Sequence, residues 1–75
     1  MYKLEFENLG TKVYKTLKSM IISGELKPGE KLIQEELAER LGVSRTPLLS
    51  AFAKLAQENL VETISRRGAY VKRFT

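Results

Sequence analysis

Cysteine and histidine are both absent from the 75 residues. Without cysteine, no disulfide and no thiolate-bound metal can support the fold. Without histidine, the commonest general base and the commonest metal ligand are missing together. Long apolar runs are missing too, since no stretch approaches the roughly 18 residues that a bilayer-spanning helix requires. Residues 1–10, MYKLEFENLG, are interrupted by charges and hold no apolar signal-peptide core. A cytoplasmic location and no membrane partner are the expectation. There is no internal repeat, no low-complexity tract, no glycine-rich loop suited to cradling phosphate, and no nucleophile beside a base. Glu35, Glu36 and Glu39 are paired carboxylates only in sequence, on one solvated helix face. Neither an enzyme nor a cofactor or metal is expected.

What is present is one small domain with an uneven charge. A chain of this length buries only about 60% of its unfolded surface, so it folds alone with little margin. Up to Gly42 seven basic residues balance seven acidic ones. From Val43 onward Arg45, Lys54, Arg66, Arg67, Lys72 and Arg73 face only Glu58 and Glu62, so the whole net charge of +4 lies there. Such asymmetry suits a polyanion partner for that half. Charge alone is equally compatible with a merely soluble basic surface.

The periodicity predicts a helix from Thr11, with Val13, Leu17, Met20 and Ile21 on its apolar face and Lys12, Lys15 and Lys18 on the wet one. Gly24 suits its end, because glycine tolerates the left-handed residue that follows a helix. Lys27-Pro28-Gly29-Glu30 reads as a turn, and Lys31 to Ile33 as a short strand. Gln34 to Leu41 reads as a second helix, with Leu37, Ala38 and Leu41 inward and no good N-cap. Gly42 ends it. Ser44 is a preferred N-cap for a third helix, and Pro47 sits in its first turn, where a missing N–H costs no helix hydrogen bond. Leu48, Phe52, Leu55 and Ala56 form the expected buried stripe, and Asn59 the left-handed closing residue. Leu60 to Ser65 and Ala69 to Phe74 read as strands joined by a turn at Arg66-Arg67-Gly68.

Two short helices joined by a glycine-containing turn make a helix-turn-helix, whose second helix enters the DNA major groove. A basic hairpin after it makes a wing. The expected fold is mainly α: three helices plus a two- to three-stranded wing sheet, a winged helix-turn-helix. The expected organisation is a lead-in over 1–10, with Leu4, Phe6 and Leu9 free to dock on the body or on a partner chain, and one domain over 11–75. Within it the helix-turn-helix covers about 34–53 and the wing about 60–74.

Ile22 to Leu32 (ISGELKPGEKL) and Leu37 to Pro47 (LAERLGVSRTP) resemble successive motifs of the GntR-type bacterial regulators. Glu58-Asn59-Leu60-Val61 and Arg67-Gly68-Ala69-Tyr70-Val71 resemble that family's recognition-helix end and wing. The Thr-Pro after the arginine resembles the FadR-type branch. The resemblance implies a domain that binds operator DNA as part of a homodimer, with a C-terminal effector-binding and dimerising domain outside these residues; Thr75 falls where a linker would begin. It implies that Arg45 reads bases and that Gly68 approaches the minor groove. Three positions depart from the family pattern. Leu49 and Ser50 stand where an arginine and a glutamate are usual, and Asn59 stands where the recognition helix usually closes with glycine.

Each candidate residue has a bland alternative. Arg45 can donate two hydrogen bonds to one guanine, or be a solvated arginine. Ser44 can contact phosphate, or simply cap. Thr46 is expected to contact DNA, having no evident packing duty. Leu49 can touch a thymine methyl, although packing at the rim of the core is the favoured alternative. Arg66 and Arg67 can enter the minor groove or hold phosphates, or sit on a solvated turn. Gly68 can be explained by the turn alone. A different class of function, a protein-interaction module on a winged helix, is set against DNA binding by the missing arginine at Leu49 and favoured less by the retained Arg45 and basic wing.

Overall fold

Helix α1 runs from Tyr2 to Ser23, β1 spans Lys31–Leu32, α2 Gln34–Leu41, α3 Arg45–Gln57, β2 Val61–Ile64 and β3 Gly68–Val71. The computed structural model describes residues 2–64 and 68–73, with side chains over 9–63 and 68–73. The strands form one antiparallel sheet in the order β1-β3-β2. Three helices and a three-stranded wing sheet are the expected winged helix-turn-helix.

The apolar spacing of the sequence becomes one core. Val13, Leu17, Met20 and Ile21 of α1 meet Leu48, Ala51, Phe52 and Leu55 of α3, with Leu26, Leu32, Leu37, Val61, Ala69 and Val71 closing it from the other elements. Leu17, Leu48 and Leu55 are fully buried, the positions where truncation leaves the largest cavity. Ala56, expected in the stripe, is only half-buried, and Ala51 takes its place. The stripe is turned toward α1. A Cβ on the buried Gly10 would lie 3.4 Å from Ser50 Oγ.

Helix α1 starts earlier than the expected Thr11. Gly10 ends the expected lead-in, but a glycine inside a helix costs only roughly 0.5–1 kcal/mol. The helix continues through it from Tyr2. Leu9 is 40% exposed; the side chains of Leu4 and Phe6 lie outside those described.

The helix ends follow their glycine and asparagine signals. At the end of α2 the N–H of Gly42, left-handed at φ +69°, donates to Glu39 O, and that of Val43 donates to Ala38 O. α3 closes in the same way. Asn59 is left-handed at φ +62°; its N–H donates to Ala56 O, and the N–H of Leu60 donates to Leu55 O at 2.9 Å. This paired pattern satisfies carbonyls that a helix end otherwise leaves free. Leu60 O then accepts from the N–H of Lys72, so the short turn after α3 is tied to the residue that follows β3. In β3, Ala69 and Val71 face the core and pair with Thr63 and Val61 of β2. Strand β1 is one residue shorter than expected, because Ile33 is already the extended residue that precedes α2.

Candidate nucleic-acid interface

Arg45 is the first residue of α3, and its side chain is 64% exposed. Thr46, Ser50 and Ser44 are exposed beside it. Ser44 occupies the N-cap position with extended φ/ψ (−79°, 176°), yet its side chain makes no capping hydrogen bond. The capping alternative for Ser44 is therefore right in position, while the bond itself is not made. The first-turn N–H groups of a helix have no intrahelical partner. With an uncapped serine in front of them they face outward, on the positive end of the helix dipole.

Leu49 is 46% exposed and stands outside the core. Leu49 is therefore not a core residue. Leu48 takes the inward position on α3, and its chain neighbour is carried about a quarter turn round, into solvent. An apolar side chain thus stands openly on the recognition helix beside Arg45 and Thr46.

The wing meets the same surface. Gly68 opens β3 with φ +99°, a backbone conformation that side-chain-bearing residues rarely adopt, so the turn alone justifies glycine there. Arg66 and Arg67 lie outside the described residues. A surface depression of about 330 Å³ brings Arg45 and Gly68 together with Lys31, Gln34 and Glu35. Elements far apart in sequence (the N-termini of α2 and α3, β1 and the start of β3) therefore share one face.

Two members of that face escape a reading of the sequence. Lys31 is exposed, and its side chain runs past the wing: Lys31 Cε is 3.6 Å from where a Cβ on Gly68 would sit. The only cue is a lysine at the start of a strand, and its neighbour is known only once β3 lies between β1 and β2. Glu35, assigned to a solvated face, is indeed 80% exposed, but its Oε1 accepts from Arg45 Nη2 at 3.5 Å. An exposed pair of this kind contributes at most about 1 kcal/mol to stability, so its interest lies in where it holds the guanidinium.

The far end of α3 is built differently. The Tyr14 hydroxyl of α1 donates to Glu58 Oε1, while Lys18 Nζ donates to the Tyr14 hydroxyl and pairs with Glu58, both at 3.3 Å. The Tyr14 hydrogen bond, aided by Lys18, holds the Glu58 carboxyl below the usual carboxylate range. Tyr14 and then Glu58 push the Lys18 ammonium upward. Lys54 Nζ donates to Thr11 Oγ1 at 3.4 Å and lies 5.7 Å from the Tyr14 ring centre. Lys18 and Lys54 are thus engaged in joining α1 to α3.

Among the described residues no cluster of carboxylates could hold a metal ion, and no helix is long and apolar enough to cross a membrane.

The comparisons with known proteins agree with this geometry. The family model described as bacterial regulatory proteins, gntR family, matches residues 9–71. An uncharacterized HTH-type transcriptional regulator in an unstable DNA locus of Streptomyces ambofaciens is 43% identical over 61 residues, 81% of this chain and 26% of that protein. The HTH-type transcriptional repressor RspR of Escherichia coli K12 is 35% identical over 63 residues, 84% of this chain and 28% of its own length. The crystal structure of a transcriptional regulator (GntR family member) from Pseudomonas syringae pv. tomato DC3000 superposes with a TM-score of 0.78 at 35% identity, over 88% of this chain and 28% of that one. The chain spans about a quarter of the length of the curated relatives it matches. These relatives are transcription regulators, not enzymes. An exposed arginine opening the second helix of a helix-turn-helix, a left-handed glycine opening the second wing strand and a family match over most of the sequence agree: the chain belongs to the gntR family of bacterial regulatory proteins, as a DNA-binding winged helix-turn-helix domain.

Proposed function

We propose that this domain recognises double-stranded operator DNA by sequence, as the reading head of a FadR-like regulator. The start of α3 enters the major groove. Arg45 donates two hydrogen bonds to a guanine, Thr46 contacts the adjacent base or backbone, and Leu49 meets a thymine methyl. The Ser44 hydroxyl and the uncapped N–H groups behind it take a phosphate. Arg66, Arg67 and Gly68 address the minor groove or its phosphates, with Lys31 beside them. The whole regulator works as a cytoplasmic homodimer, joined through a C-terminal effector domain beyond these residues.

The observation that carries the reading is the single face shared by Arg45 and Gly68. A groove-reading helix and a wing can serve one duplex only if they are presented together. One module of this kind covers only about 600–1,000 Å² of protein surface on DNA, so the isolated domain binds weakly. Selecting duplexes from a random pool and titrating the winner by fluorescence anisotropy at two salt concentrations tests it. Affinity should fall steeply as salt rises, because neutralised phosphates release counterions. No binding at low salt, or binding indifferent to salt, sinks the reading and leaves a protein-interaction module with the exposed Leu49 at its centre.

A further inference from the structure

We propose that Glu35 is a specificity-setting positioning residue, which holds the Arg45 guanidinium toward base edges and away from phosphates. This assignment rests on the base-reading role of Arg45 given above. The first helix of a helix-turn-helix crosses the DNA backbone. A carboxylate in the first turn of α2, 80% exposed and on the face shared by Arg45 and Gly68, is out of place if affinity is the sole requirement. It repels phosphate. Its location becomes intelligible through its partner. Arg45 Nη2 is 3.5 Å from Glu35 Oε1, and Arg45 is the ion-pair partner of Glu35 among the described residues.

The chemistry of the guanidinium lets both contacts stand together. Arginine carries five N–H donors in a rigid plane. A guanine edge uses two of them, and the single bond to Glu35 uses one. The carboxylate therefore does not have to leave when the base arrives. It does two things in the bound complex. It reduces the rotamer freedom that Arg45 would lose on binding, which is worth roughly 0.5–1.5 kcal/mol for a long side chain, or about twofold to tenfold in affinity. It also keeps the guanidinium from swinging onto a phosphate when the base is wrong, so non-cognate DNA is denied a contact that any sequence could otherwise supply. Both effects widen the gap between right and wrong sequences, as repulsive elements do in specific interfaces.

The test uses the 75-residue chain and two duplexes: the selected one, and the same duplex with one base pair exchanged where Arg45→Ala relaxes preference. Affinities are measured for the unaltered chain, Glu35→Gln, Arg45→Ala and the double variant. Glu35→Gln should lower the cognate to non-cognate ratio roughly fivefold. On the non-cognate duplex it should steepen the salt dependence by about one phosphate contact. In the Arg45→Ala background, Glu35→Gln should leave the ratio unchanged, since the residue acts through Arg45. Melting temperatures should agree across the set, because both side chains are exposed.

Three outcomes overturn the assignment. If both affinities rise equally, Glu35 is only a repulsive charge. If the ratio rises, Glu35 competes with DNA for Arg45. If the ratio falls as much without Arg45, Glu35 reads a base itself. Should the unaltered chain bind no duplex, or Arg45→Ala leave the ratio untouched, the base-reading role of Arg45 fails and this assignment with it. A preference that depends on Arg45 but ignores Glu35→Gln overturns this assignment alone.

Discussion

The two ends of α3 are made from the same kinds of residue and treated in opposite ways. At the C-terminal end Asn59 takes a left-handed conformation, Leu60 and Asn59 donate back to Leu55 and Ala56, and Glu58 is tied to Tyr14 and Lys18 of α1. At the N-terminal end the cap position holds a serine whose side chain makes no cap bond, and Arg45, Thr46, Leu49 and Ser50 stand in solvent. A capping bond is worth typically about 1 kcal/mol, so the open end forgoes stability. One end of the helix is fixed to the body, and the other is left with donors unsatisfied for a partner to take up. Stability and recognition are thus separated along a single helix of 13 residues.

The sharpest way to break this comparison is at adjacent residues. Leu48 is fully buried and Leu49 is 46% exposed. Leu48→Ala should cost about 2–5 kcal/mol by cavity formation, a large share of what a domain this small possesses. Urea denaturation of this variant, read by circular dichroism, checks it. Arg45→Ala comes next. It should cost roughly 1–3 kcal/mol of binding to the selected duplex and relax preference at one base pair, with the melting temperature unchanged. An equal loss for every sequence would instead make Arg45 a phosphate contact. Leu49→Arg should raise duplex affinity and steepen the salt slope by about one, without lowering the melting temperature, since the new guanidinium stays in water. A fall in melting temperature with no gain in binding would return Leu49 to the core.

The closed end gives the smaller effects. Asn59→Ala should destabilise by about 1 kcal/mol, because alanine carries the left-handed strain that asparagine tolerates, while Asn59→Gly should match or exceed the native stability. Chemical denaturation of the two variants side by side measures the difference. The weakest expected signal is pH dependence. Glu58 has its folded pKa lowered from the ordinary 4.5, so its contribution is present above that value and is lost as pH falls through the lowered one. As pH falls below the ordinary 4.5, the native melting temperature should fall more steeply than that of Glu58→Gln. Lys18, raised from 10.5, works in the other direction: its contribution is lost only as pH rises through its elevated value. Equal acid slopes for the native chain and Glu58→Gln would show that the Tyr14–Glu58–Lys18 cluster contributes nothing to the closure.

The helix-turn-helix is legible in the sequence because its punctuation is local. Gly42, Asn59 and Gly68 each announce a positive φ by residue type, and all three adopt one. The start of α1 is not legible, because the same letter in Gly10 marks no turn: it is helical and buried beside Ser50 of α3. Leu49 is ambiguous because it and Leu48 both stand at helical spacing from Phe52, and the direction from which α1 packs decides between them. The ties that complete the two ends of α3, Glu35 to Arg45 and Tyr14 to Glu58, join residues 10 and 44 positions apart. No propensity or period encodes such pairs; they exist only once the core has brought the helices together. The tip residues Arg66 and Arg67 keep the standing they have from sequence alone, as proposed contacts.

One consequence follows from the backbone bond between Lys72 N and Leu60 O, immediately after the paired closure of α3. The recognition helix and the base of the wing are joined by only three residues, Glu58 to Leu60, which this bond ties to the end of β3, so the two resemble the jaws of a caliper. A tool of that kind measures its object as well as reading it. Where a duplex presents major and minor grooves at another spacing, the DNA must bend or twist to fit, at a cost that depends on its sequence. Base pairs that neither jaw touches would then count toward recognition, through the stiffness of the steps that separate the grooves.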